Sequence, residues 1–243
     1  MSAPNRKPRG TDAMFSNFDF DVIIRSLPYL FYQGMTFTLL LTALATIGGI
    51  AIGTLLALMR LSNFPLLTLP AAAYVNLMRS VPFVLMIFWF YFLVPYIGQW
   101  VTFSKQPIQV GAFASCLITF TLFEAAFFCE IMRAGIQSIP RGQVAAAYAL
   151  GMTYTTVMAN IVLPQAFRNM VPVLLTQTIV LFQDTSLVYV ISVTDFLGAA
   201  SKVAQRDQRL VEMYTFAAAV YFVISLAASR LVQRLQRRIA IIR

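Results

Sequence analysis

The chain is 243 residues long, with 59% hydrophobic side chains, 11% charged ones and a formal charge of +9. Soluble domains carry about 25% charged residues, and one of this composition would show a greasy exterior to water, so the chain is read as an integral membrane protein. With no histidine and two cysteines, Ser-His-Asp and Cys-His chemistry, haem held by histidine, four-ligand zinc and a disulfide framework are all excluded.

The positive charge is read as Lys and Arg at helix ends near the membrane surface, not as a nucleic-acid footprint. Cys116 and Cys129 lie in apolar sequence and are read as small buried packing residues. Residues 1–25 carry Arg6, Lys7, Arg9, Asp12, Asp19 and Asp21 with no long apolar core. They are not a secretory signal, and the first span must itself direct insertion.

Ser26 to Met59 is a charge-free run of 34 residues. As one helix it would be about 51 Å long against a hydrocarbon core of about 30 Å, so Pro28 and Gly34 predict a bend or an interfacial approach. A second run, Ser80 to Ser104, predicts a span whose helix begins earlier, near Ala71. The third span runs from about Val110 to Gly135 and contains Glu124, Glu130 and Arg133. The fourth is predicted to be broken: Asn169 to Phe182 is apolar, Asp184 interrupts, and Leu187 to Val193 is apolar again. The fifth is Met213 to Ser229, before a basic tail. The fold class is therefore an all-α membrane protein of about five spans; a six-span alternative splits the fourth at Asp184.

Orientation follows from basic residues. With the tail inside, Arg60, Arg79, Arg133, Arg141, Arg168, Arg230, Arg234, Arg237, Arg238 and Arg243 make ten inner charges. Arg6, Lys7, Arg9, Arg25, Lys105, Lys202, Arg206 and Arg209 make eight outer ones. Residues 1–25 are then an outer segment, 26–243 the transmembrane domain, and 230–243 a cytoplasmic tail.

Between the third and fourth spans lies Ile139-Pro140-Arg141-Gly142-Gln143-Val144-Ala145-Ala146-Ala147-Tyr148-Ala149-Leu150-Gly151-Met152. Its alanines favour helix, with Pro140 just before and Gly151 just after. About three turns cannot span a bilayer. From periodicity alone, a simple interfacial amphipathic helix is the first reading, ahead of a docking helix.

This stretch resembles the coupling loop of ATP-binding cassette (ABC) importer permeases, whose motif runs Glu-Ala-Ala, three residues, Gly, about nine residues, Ile, any residue, Leu-Pro. Ala145, Ala146 and Ala147 take the first three places, Gly151 the glycine, and Ile161, Leu163 and Pro164 the end. Gly142-Gln143, the run Leu163 to Arg168, the run Gln183 to Leu187, and the run Glu130 to Ile136 resemble the polar-amino-acid branch, nearest to glutamate/aspartate importers. The resemblance covers roughly residues 18–238 and implies a multi-pass bacterial inner-membrane permease subunit with a cytoplasmic C-terminus. It implies as partners a cytoplasmic ATPase dimer, a second permease subunit, a periplasmic binding protein and an amino-acid substrate. Residues 139–166 become the coupling loop, with Arg141, Gly142, Gln143, Ala145, Ala146, Ala147, Gly151, Leu163 and Pro164 facing the ATPase. Ala145 replaces the motif's glutamate, so coupling rests on shape and on neighbours such as Arg141 or Gln143.

The chain has only Lys7, Lys105 and Lys202, and none follows a glycine. A P-loop therefore cannot be built. No cofactor is expected here; ATP and Mg belong to the ATPase, and the chain is not itself an enzyme.

Each charge within a span needs a reason. Glu130 and Arg133, three apart, are read first as a structural ion pair. Glu124 lies 240° around the helix from Glu130; it suits a substrate ammonium, or else packs against another polar span. Arg79 suits a substrate carboxylate or snorkels to the surface, and the two readings stand equal. Gln183, Asp184, Thr185 and Ser186 are the best local candidates for the translocation pathway. Gln177, six residues before Gln183, need not share its face. The aromatic run Phe88 to Phe92 is read as lipid-facing. Glutamine as cargo, or an ion-coupled carrier or channel using Glu124 and Asp184, are the alternatives.

Overall fold

The computed structural model describes residues 18–239, and all regular structure in them is helical. Five runs are long and apolar enough to cross a membrane: Phe20–Leu61, Phe83–Thr102, Ala112–Gln137, Tyr154–Ile191 and Leu210–Ile239. The outer charges Arg6, Lys7 and Arg9 and the tail's Arg243 fall outside the described residues.

The first run is α1 (Phe20–Tyr29), a π-helical turn (Leu30–Met35) and α2 (Thr36–Leu61). Asp19 caps α1, accepting from the N–H groups of Asp21 at 2.9 Å and Val22 at 3.4 Å. Pro28 lacks an N–H and the π turn follows it at once, so the helix geometry changes where Pro28 and Gly34 predicted it to.

The second span differs from expectation. No single helix runs from Ala71 through the span; instead α3 (Pro65–Ser80) stops and α4 (Phe83–Thr102) starts afresh. The cause is Pro82, which forces Val81 into an extended conformation (φ −105°, ψ 136°). On α4, Trp89 and Phe92 are exposed, in line with the lipid-facing reading.

Next come α5 (Ala112–Gln137), the short α6 (Arg141–Ala149) and α7 (Tyr154–Val157). A second π turn (Met158–Val162) leads into α8 (Leu163–Asp184) and then a 3₁₀ turn (Thr185–Ile191). The fourth span is thus not interrupted at Asp184. The residue completes α8, and the helix only tightens beyond it, so the six-span alternative falls away. The last elements are α9 (Phe196–Arg206) and α10 (Leu210–Ile239), which carries the helix past Ser229.

Helix α5 is the centre of the bundle: 56% of its most apolar stretch is buried, against 11% for α4. Cys116 and Cys129 are free and buried on it. Helix α2 meets it through Ala45, Gly49, Gly53 and Ala57, four residues apart and all buried. A Cβ at Gly53 would lie 2.9 Å from the Ala125 carbonyl oxygen and 3.0 Å from the Cys129 nitrogen. The two backbones touch because nothing projects between them, the usual device for joining helices in lipid.

The eleven-residue α9 had no signal among the charge-free runs. It is amphipathic, burying Phe196, Ala199, Ala200, Val203 and Ala204 against Leu30, Met35, Met213 and Ala217. The Phe196 N–H donates to Thr38 Oγ1 at 3.1 Å, tying α9 to α2.

Candidate translocation site and coupling helix

Helix α5 buries Glu124 completely. Gln177 Nε2 of α8 donates to its two carboxylate oxygens at 3.1 Å and 3.4 Å. Asp184, seven residues beyond Gln177 and so on the same face of α8, lies within electrostatic reach of Glu124. Gln177 carries no charge to mark it in apolar sequence, and the seven-residue step to Asp184 is the signal that places it on this face. One amide leaves a carboxylate with spare acceptor capacity.

The other predicted pathway residues divide. Gln183 and Ser186 line an open groove of about 440 Å³ with Tyr221, Ser225 and Ser229 of α10. Ser225 Oγ is buried there without a hydrogen-bond partner among the described residues. Thr185 turns inward, is buried, and its hydroxyl donates to the Phe182 carbonyl at 2.7 Å.

Six residues along α5 from Glu124, three arginines surround Glu130. Arg133 Nη2 reaches it at 2.7 Å, Arg60 forms an ion pair with it, and Arg79 Nη1 stands 3.8 Å away. Arg133 also donates to Gln137 at 2.6 Å. The Arg79 guanidinium lies 5.5 Å from the Phe127 ring centroid, a cation–π distance. Arg60 was not expected here, since in sequence it only marks the end of a charge-free run. A second set of charges gathers α1 with α10: Arg25 and Arg206 on Asp207, and Arg209 on Glu212 and Asp19.

The short α6 buries Ala147 against Val157, Val162 and Ala166 and leaves Arg141, Gly142, Ala145 and Ala146 exposed. Gln143 accepts from Gln165 Nε2 at 2.8 Å. Gly151 (φ 77°) ends the helix: its N–H donates to the Tyr148 carbonyl at 2.9 Å, in a left-handed conformation that costs a glycine nothing. Leu163 and Pro164 open α8 directly after the second π turn, and the missing proline N–H accompanies that change of helix geometry.

A bundle of five apolar spans with a buried carboxylate, an open groove and a short helix between two spans fits a membrane permease. Residues 49–241 match the family of binding-protein-dependent transport system inner membrane components, and the chain belongs to that family. It is a multi-pass permease subunit of an ABC importer. It is 54% identical over 223 residues to the glutamate/aspartate import permease protein GltK of Escherichia coli O157:H7, covering 92% of this chain and 99% of that one. To the probable glutamine ABC transporter permease protein GlnM of Bacillus subtilis it is 31% identical, covering 86% and 93%. A crystal structure of an amino acid ABC transporter with histidines superposes with a TM-score of 0.80 at 32% identity, covering 90% of this chain and 98% of that one.

Proposed function

We propose that this permease carries acidic amino acids, glutamate or aspartate, into the cytoplasm by alternating access. The observation that carries the reading is the 54% identity to GltK along 92% of the chain. The side chains are suited to such cargo. An acidic amino acid brings one ammonium and two carboxylates. Glu124 with Asp184 offers negative charge to the first, and Arg79 offers a planar guanidinium to a carboxylate. Phe127, under that guanidinium, is three residues from Glu124, a rise of about 4.5 Å, within the length of one amino acid.

The Arg60 end of the bundle is assigned to the cytoplasm. Three arginines there share one glutamate, whereas Arg25, Arg206 and Arg209 meet Asp19, Asp207 and Glu212 at the other end. The positive-inside rule counts Lys and Arg alone, and by that count the Arg60 side carries ten against eight. Through five spans the C-terminal tail, 230–243, is then cytoplasmic and residues 1–25 lie outside. The working complex adds a second permease, a periplasmic binding protein and an ATPase dimer that binds ATP and Mg and performs the hydrolysis. That dimer docks on α6 through Gln143, Ala145 and Ala146 by shape, because Ala145 carries no charge.

The complete complex in proteoliposomes tests this. ATP should drive glutamate and aspartate uptake, stopped by vanadate, with glutamine and arginine slower by about tenfold or more. Equal uptake of glutamine overturns the cargo assignment. Uptake by this chain alone on an ion gradient overturns the ATP-driven mechanism.

A further inference from the structure

On α8, Gln165, Asn169, Val173 and Gln177 follow at four-residue steps, and three of the four carry primary amides. Each amide donates to a different place. Gln165 reaches Gln143 on α6 at 2.8 Å. Asn169 Nδ2 reaches Ser138 Oγ, at the end of α5, at 2.9 Å. Gln177 reaches Glu124, in the middle of α5, at 3.1 Å. The row winds slowly around the helix and rises about 18 Å from first amide to last. Its acceptors on α5 share a face too, since Glu124 and Ser138 are two seven-residue steps apart.

The outer rungs are exposed, and an exposed hydrogen bond contributes little to the fold, about 1 kcal/mol or less. What they do is hold three elements in register. That register needs holding. Pro172 sits inside α8 between the second and last rungs and removes a backbone hydrogen bond there. A cleft of about 380 Å³, lined by Glu130, Ser138, Asn169 and Val173, opens between α5 and α8 at the same level. Beside the cleft the helices pack closely, a Cβ at Gly135 falling 3.0 Å from Met170 Cβ, and the side-chain contacts bridge the opening itself.

We infer that the amide row on α8 is the relay by which movement of α6 reaches Glu124, with Gln165 and Asn169 as positioning residues that act through Gln177. When α6 shifts, Gln143 carries Gln165 and the lower part of α8 with it. The Asn169–Ser138 contact then transmits or breaks, and Gln177 changes its hold on the carboxylate. Coupling between distant sites travels through such two-arrangement contacts. The inference rests on the assignment of Glu124 to cargo and of α6 to the ATPase.

The test is the ratio of ATP hydrolysed to amino acid moved, measured on the complete complex in proteoliposomes. Ser138→Ala and Asn169→Ala should each raise ATP per glutamate about fivefold, with hydrolysis itself within about twofold of the parent. The reciprocal swap S138N/N169S keeps one hydroxyl and one amide at the contact and should restore the ratio. An unchanged ratio in both single variants overturns the relay, whether uptake stays normal or falls in step with hydrolysis. Failure of the swap to restore it does so as well, because the residues then act through packing. If the parent complex does not carry glutamate, the cargo assignment fails on its own, and the same ratio is read with whichever amino acid the parent carries.

Discussion

Gln177 on α8 donates to both carboxylate oxygens of Glu124 on α5, 53 positions away in the chain. The contact joins the two helices that flank the cleft, and it leaves the carboxylate free to accept more. Glu124→Gln preserves the shape and removes the charge. A hydrogen bond to a charged group contributes about 1.5–3 kcal/mol, so transport at low substrate should fall by about 10–100-fold. Uptake against concentration in proteoliposomes checks this; unaltered uptake assigns Glu124 to helix packing alone. Gln177→Leu strands the buried carboxylate and should lower stability by about 2 kcal/mol in thermal unfolding.

The α2–α5 seam makes a sharper packing prediction. A Cβ at Gly53 meets backbone at 2.9 Å and 3.0 Å, and backbone cannot swing aside as a side chain can. Gly53→Val should cost about 2–3 kcal/mol, visible as a lower unfolding temperature and a smaller monodisperse fraction in detergent. Gly142 on α6 has nothing within 4 Å of such a Cβ, so Gly142→Ala should leave stability unchanged within about 0.5 kcal/mol. Equal effects at both positions contradict the close approach of α2 to α5.

Charge-free runs revealed the spans because lipid penalises every charge, and that penalty is written locally. The turn chemistry of Pro82 was equally local, yet its strength was underestimated: a helix from Ala71 through the span ignored what proline does to Val81. Helix α9 left no such trace, since a short helix buried on one face and carrying Lys202 and Arg206 looks like an ordinary loop. At the site, Glu124 and Asp184 stood out as charges in apolar sequence. Gln177 did not, because glutamine carries no charge and its importance comes from α5 lying opposite. The gathering of Arg60 and Arg79 on Glu130 depends on how α2, α3 and α5 meet, and spacing within one helix could supply only Arg133.

That gathering is unbalanced, and the imbalance is testable. Glu130 holds three guanidinium groups, so Glu130→Gln leaves three like charges facing one another. The side chains are between 17% and 44% exposed, which tempers the repulsion, and the expected loss is about 1–2 kcal/mol of stability. Adding Arg79→Gln to the same chain should recover part of it, and the loss should shrink as salt rises. Thermal unfolding at low and high ionic strength measures both. A double variant less stable than the single one would show that Arg79 stabilises by some contact other than Glu130.

Asp195 offers a pH dependence with a definite sign. It caps α9, accepting from the Gly198 N–H at 2.8 Å and the Leu197 N–H at 3.0 Å, and it is fully buried. Burial pushes its carboxyl up to about 6, against the pull of those N–H donors and of Tyr221. The folded chain therefore binds this proton more tightly than the unfolded chain, where the carboxyl titrates near 4. Below that value both states are protonated and the contribution is complete. As pH rises toward about 6 the unfolded chain has already released its proton while the folded one still holds it, so stability falls, by about 3 kcal/mol in all, and then levels off. Asn can keep the Gly198 bond through its one amide oxygen and cannot titrate; its NH2 faces the Leu197 N–H, a cost that is the same at every pH. Asp195→Asn should therefore flatten that part of the unfolding-temperature profile between pH 4 and pH 6.5. The variant gains over the parent as pH rises, and a constant difference between the two profiles would place the proton elsewhere.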